Sequence, residues 1–85
     1  MHTVELLEQA LAAARQLGIR IRQEWIAGQG GMCEYRGKRW LFIDLGAPPV
    51  EQLHVVLEAI DRDPGLQRLS LSTDLQQRLQ VRRTA

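Results

Sequence analysis

Gly28-Gln29-Gly30-Gly31-Met32-Cys33-Glu34-Tyr35-Arg36-Gly37-Lys38-Arg39-Trp40-Leu41-Phe42-Ile43-Asp44 is the stretch that decides the fold. It holds the only cysteine, four of the seven glycines and one of the two tryptophans. Two runs of strand-forming residues flank Arg36-Gly37, and glycine at the second central position suits a two-residue turn with positive backbone angles. Such a turn sets Tyr35 opposite Lys38, Glu34 opposite Arg39, Cys33 opposite Trp40 and Met32 opposite Leu41. Opposed residues share a face. One face then carries Cys33, Tyr35, Trp40 and Phe42, and the other carries Met32, Leu41, Ile43 and a Glu34–Arg39 pair. Both faces are apolar, more than a sheet covered on one side requires.

Upstream, Ile19-Arg20-Ile21-Arg22-Gln23-Glu24-Trp25 alternates as a strand, with Ile19, Ile21 and Trp25 on one side and Arg20, Arg22 and Glu24 on the other. Before it, Val4, Leu7, Leu11, Ala14 and Leu17 recur at helical spacing, with Gly18 as the stop. Its alanines (Ala10, Ala12, Ala13, Ala14) allow close approach to a sheet. Downstream, Pro48-Pro49 opens a second helix in which Val50, Leu53, Leu57 and Ile60 repeat, ending near Asp61 before Asp63-Pro64-Gly65. Leu69-Ser70-Leu71 reads as a short extended segment. Thr73-x-x-Gln76 has the capping-box pattern, predicting a third helix to about Val81 with Leu75 and Leu79 inward.

The predicted class is α+β, one small domain over residues 1–85. Its order is α-β-β-β-α-α, with a three-stranded, mostly antiparallel sheet. Two helices pack on one sheet face and a short C-terminal helix closes an edge.

Composition narrows the function. A net charge of +1 argues against a dedicated nucleic-acid or membrane-surface binder. One cysteine makes neither an internal disulfide nor a thiolate-rich zinc site. The N-terminus lacks the pattern of a signal peptide, and no apolar run reaches membrane-span length. The expected location is the cytoplasm.

Several constellations could carry chemistry. Cys33 follows two glycines and lies near Arg36, Lys38 and Arg39, a setting that can activate a thiol. A nucleophile also needs a base, and His54 is the only central candidate. His54 and Glu58, four apart on the second helix, fall short of the three protein ligands a zinc site wants. The Gly28-x-Gly30-Gly31 loop leads into a strand, whereas phosphate-binding glycine loops lead into a helix. A loop needing close approach of another segment explains these glycines better, and no cofactor is expected. Arg20, Arg22, Arg36, Lys38 and Arg39, with Trp25, Trp40 and Tyr35, suggest a face for single-stranded nucleic acid. Against it, Arg20 and Arg22 sit opposite Trp25 on their own strand.

The order helix, strand, glycine-turn hairpin, strand ending in Ile43-Asp44, then helix resembles the early part of ImmA/IrrE-type zinc metallopeptidases. Their corresponding helix bears His-Glu-x-x-His. Here Glu51 to Ile60 has neither that motif nor a second histidine, so the resemblance implies architecture and no peptidase activity. The chain is also similar to a group of short uncharacterised bacterial proteins. They share a Leu-Gly-Ile-x-hydrophobic-Arg stretch (Leu17 to Arg22), Gly-Gly-x-Cys (Gly30 to Cys33), a Gly-Lys-Arg turn (Gly37 to Arg39) and an apolar strand ending in Asp. That likeness covers about residues 3–62 and implies the same plan without an activity.

If the helices cover the Met32–Leu41–Ile43 face, Cys33, Tyr35, Trp40 and Phe42 remain as an apolar patch, and such patches mark protein contacts. The first expectation is a non-enzymatic interaction module, self-associating or protein-binding, using those four residues. A thiol-dependent catalyst or redox sensor on Cys33 is the alternative, followed by single-strand nucleic-acid binding.

Overall fold

A computed structural model describes residues 3–26 and 30–84. The elements are α1 (Thr3–Gln16), β1 (Arg20–Glu24), β2 (Gly31–Tyr35), β3 (Lys38–Asp44), α2 (Pro49–Asp61), a 3-10 turn (Pro64–Arg68) and α3 (Thr73–Thr84). The α+β class and the element order are those expected, with the 3-10 turn added between α2 and α3. The hairpin turn places Arg36 at φ 53° and Gly37 at φ 75°, the positive pair a tight hairpin requires. The register is as read from the turn: Tyr35 opposite Lys38, Glu34 opposite Arg39, Cys33 opposite Trp40 and Met32 opposite Leu41.

The sheet is mixed, in the order β1-β3-β2. β2 pairs antiparallel with β3, but β1 pairs parallel with β3, Arg20 beside Trp40 and Arg22 beside Phe42. The most apolar strand takes the centre, where both of its edges find partners. The more polar β1 becomes an outer strand, and its charged side chains discourage pairing at that edge.

Side chains on β3 alternate. Leu41 and Ile43 face the helices and are 0% and 1% exposed, burial that stabilises each by about 1.5–3 kcal/mol. They join Ile19, Leu53, Val56, Leu57 and Ile60 in one core. Ala10, Ala13 and Ala14 of α1 are buried, and α1 lies close along α2, so the alanine surface serves helix–helix contact more than contact with the sheet. Gly18 ends α1 at φ 84°, as a left-handed C′ residue does.

Five details differ from expectation. Trp25 lies beyond the end of β1 and is 80% exposed; its ring rests against Gly46 instead of the core. The Glu34–Arg39 pair does not form, because Arg39 reaches the opposite way, donating to Asp63 and to the Leu17 carbonyl. A carboxylate held by its own turn and a helix-end carbonyl give the guanidinium two fixed acceptors, more than one exposed cross-strand partner offers. α3 packs on α1 and closes no sheet edge, since Leu75 and Leu79 seat in the helix core. Its cap is Ser72, whose Oγ accepts from the Leu75 amide at 3.1 Å; Gln76 donates to the Leu71 carbonyl. Leu69 to Leu71 forms no strand, though both leucines are half-buried against the core. Salt bridges from Arg82 and Arg83 to Asp61, at 3.2 and 2.7 Å, tie the end of α3 to the end of α2.

Candidate interaction face

With both sheet-packing helices on one side, the other side of the sheet is uncovered by any described element. Its residues follow from the registers as four rows. Lys38 pairs with Tyr35 at one end. Next come Trp40, Arg20 and Cys33, then Phe42, Arg22 and Gly31. Asp44 and Glu24 close the far end.

Trp40 and Phe42, two apart on the central strand, are half-buried and stacked, their ring centres 6.4 Å apart and planes 24° from parallel. Tyr35 is 58% exposed and Cys33 is exposed. Arg22, Cys33, Tyr35, Trp40 and Phe42 line a shallow concavity of about 260 Å³. The four residues expected to form the patch therefore do share one open face.

Arginines complete it. Arg20 lies over the Trp40 ring at 5.7 Å and Arg36 over the Tyr35 ring at 5.1 Å, each within cation–π range. Arg22 is ion-paired to Glu24. Judged against Trp25, Arg20 and Arg22 lie on the wrong side for an aromatic–basic surface. The parallel β1–β3 register corrects that: their neighbours are Trp40 and Phe42.

Gly30 shows why the glycine loop is small. A Cβ there would sit 2.1 Å from the Phe42 carbonyl oxygen, so the chain entering β2 presses directly on β3. Close approach is thus the role of Gly30, and Gly28 lies outside the described residues.

The other candidates do not converge. Cys33 is on the open sheet face, while His54 is exposed on α2, which packs against the opposite face. The thiol donates a long hydrogen bond, 3.9 Å, to the Glu34 carbonyl. Glu58 is bridged to Arg82 at 3.6 Å. Among the described residues, no three His, Cys, Asp or Glu side chains gather as metal ligands. A larger groove of about 750 Å³ runs beside α2, with Val50, Leu53, His54, Arg78 and Val81 in its walls. Two arginines line it, Arg78 and Arg82, and Arg82 is already committed to Glu58 and Asp61. No helix among the described residues is long and apolar enough to cross a membrane.

Asp63 sits in a strongly cationic and hydrogen-bonding setting. The Arg39 guanidinium hydrogen-bonded to it, then the Gly65 amide at 2.8 Å, hold its carboxyl below the ordinary 3.8. This is a structural strap between β3 and the start of the 3-10 turn, remote in role from the open face. Comparison of the chain with protein-family models, with curated proteins and with solved structures finds no match.

Proposed function

We propose that this protein is a non-enzymatic binding module whose recognition surface is the open sheet face, with Trp40 and Phe42 as anchors and Tyr35 and Cys33 around them. The observation that carries this reading is the stacked, half-exposed Trp40–Phe42 pair on a sheet whose two packed helices both lie on the other side. Aromatic anchors with an arginine rim are the composition that concentrates binding energy in protein interfaces. The occupant is a second copy of this chain or another protein. Light scattering after size exclusion tests it. Wild type gives a mass above the monomer that rises with concentration, and Trp40→Ala returns it to the monomer while the thermal transition is kept. A strict monomer at millimolar concentration, with no other protein captured through Trp40, overturns it.

A second reading has a specific observation behind it. Arg20 and Arg22 flank Trp40 and Phe42 on one surface, and basic groups around aromatic rings also suit single-stranded nucleic acid. Glu24 and Asp44 on the same surface weigh against a polyanion. Quenching of tryptophan fluorescence by an oligothymidylate, lost steeply with salt, distinguishes this reading from the first.

A further inference from the structure

The charges of the open face are unevenly matched. Arg22 is paired to Glu24 through both Nε and Nη2. The Asp44 carboxylate is taken up by the Ile26 and Gly46 amides, at 3.2 and 2.9 Å. That leaves Arg20, Arg36 and Lys38, all exposed and none paired to a carboxylate among the described residues. Resting on the reading of this face as a binding surface, we infer that its partner is a short acidic segment of another protein, with one apolar side chain seated beside Trp40 and Phe42 and carboxylates on its flanks.

The receiving groups are held in place before anything binds. Arg20 lies 5.7 Å from the centre of the Trp40 ring, and Arg36 lies 5.1 Å from that of Tyr35. A guanidinium laid on a ring is held by its flat side. The N–H donors along its edge stay free for the two oxygens of a carboxylate. The seat for the apolar side chain is a hollow of about 260 Å³ walled by Arg22, Cys33, Tyr35, Trp40 and Phe42. It exists because β2 sets small residues beside the rings. Cys33 is opposite Trp40 and Gly31 opposite Phe42, and a Cβ on Gly31 would meet nothing within 4 Å. Arg20 lies one strand from Trp40 and Lys38 one row from it, about 5 and 7 Å by strand spacing. Acidic residues one or two places from the seated side chain therefore reach both cations.

Other occupants fit less well. A second copy offering the same face sets cations on cations, which like-charge repulsion opposes. A single nucleic-acid strand needs ring faces for its bases and a continuous basic track for its phosphates. Here arginines already lie on Trp40 and Tyr35, and Glu24 and Asp44 end the track at the far end. Three cations and one hollow make a small contact. The dissociation constant for a short peptide is therefore on the order of 100 μM at low salt, and it rises as salt screens the exposed pairs.

The test is fluorescence anisotropy of a labelled synthetic peptide that carries one phenylalanine between two pairs of glutamates. Wild type binds it at low salt. Glutamine in place of the glutamates, or glycine in place of the phenylalanine, weakens binding about tenfold or more. Arg20→Glu and Arg36→Glu each weaken it about three- to tenfold, since an attractive pair becomes repulsive. Cys33→Trp fills the hollow and abolishes binding. All three positions are exposed, and thermal melts of each variant confirm the fold before binding is measured. Equal binding of the glutamine peptide, no binding at millimolar protein, or tighter binding of an oligothymidylate of equal charge overturns the acidic segment. If the peptide fails while wild type still self-associates through Trp40, the face keeps its binding role and only the acidic partner is discarded.

Discussion

Asp63→Asn isolates the strap that fastens the hairpin to the rest of the fold. The Asp63 side chain is 8% exposed and the Arg39 side chain 39%. One carboxylate oxygen takes the Gly65 amide at 2.8 Å and the other takes Arg39. Asparagine can keep the first bond through its carbonyl oxygen, but it turns an NH₂ toward a guanidinium that only donates. What is lost is one charge-assisted hydrogen bond, worth about 1.5–3 kcal/mol when both groups are dry. Arg39 is partly hydrated and keeps the Leu17 carbonyl, so the net loss is about 1–2 kcal/mol. For a domain of this size that lowers the midpoint of thermal unfolding by about 5–15 °C at pH 7.

The pH dependence carries a sign of its own. Asp63 has a depressed folded pKa, so its contribution is fully present above the unfolded value of about 3.9 and is lost as pH falls through the folded one. The asparagine variant lacks it at every pH. The gap between the two proteins should therefore be full at pH 7 and pH 5 and narrow steadily below about pH 4. Circular dichroism melts at pH 7, 5, 3 and 2 measure it. A gap absent at pH 7, or unchanged at pH 2, would show that the strap does not contribute through the ionised carboxylate.

Two further perturbations probe other contacts. Gly30→Ala builds a Cβ 2.1 Å from the Phe42 carbonyl oxygen; backbone cannot swing aside as a side chain can, so a loss of about 2 kcal/mol or more is expected in urea unfolding, and an unchanged midpoint would contradict the close approach. Ser72→Ala should cost about 1 kcal/mol by removing the helix cap while Thr73→Ala costs little, and the reverse order would return the cap to Thr73.

The hairpin was legible because its information is local. Arg36-Gly37 determines the turn, the turn determines the register, and the register assigns Cys33, Tyr35, Trp40 and Phe42 to one face. Strand β1 was legible as a strand but not in its pairing. Nothing within Ile19 to Trp25 says which neighbour it will have, because that depends on which strand wins the centre of the sheet. The same gap misplaced Trp25, whose alternation continues past the residue where pairing stops. Arg39 was misread for a related reason. Its cross-strand partner Glu34 is visible from the register, whereas Asp63 and the Leu17 carbonyl are brought near it only by the packed helices. The placing of Arg20 and Arg22 beside Trp40 and Phe42 follows from β1 lying parallel to β3, so it too was out of reach of local patterns.

That parallel pairing has a consequence for how the chain acquires its shape. β1 and β2 are neighbours in sequence, yet they lie on opposite sides of β3. During synthesis β1 emerges early and finds no strand to join, since its only partner begins at Lys38. The hairpin can zip on its own within microseconds, while β1 must wait and then close the longer loop, at an entropic cost the local turn does not bear. Docking of β1, with α1 carried on it, thus becomes the late step of folding. Until Asp44 has left the ribosome, the N-terminal quarter of the chain has nowhere to go.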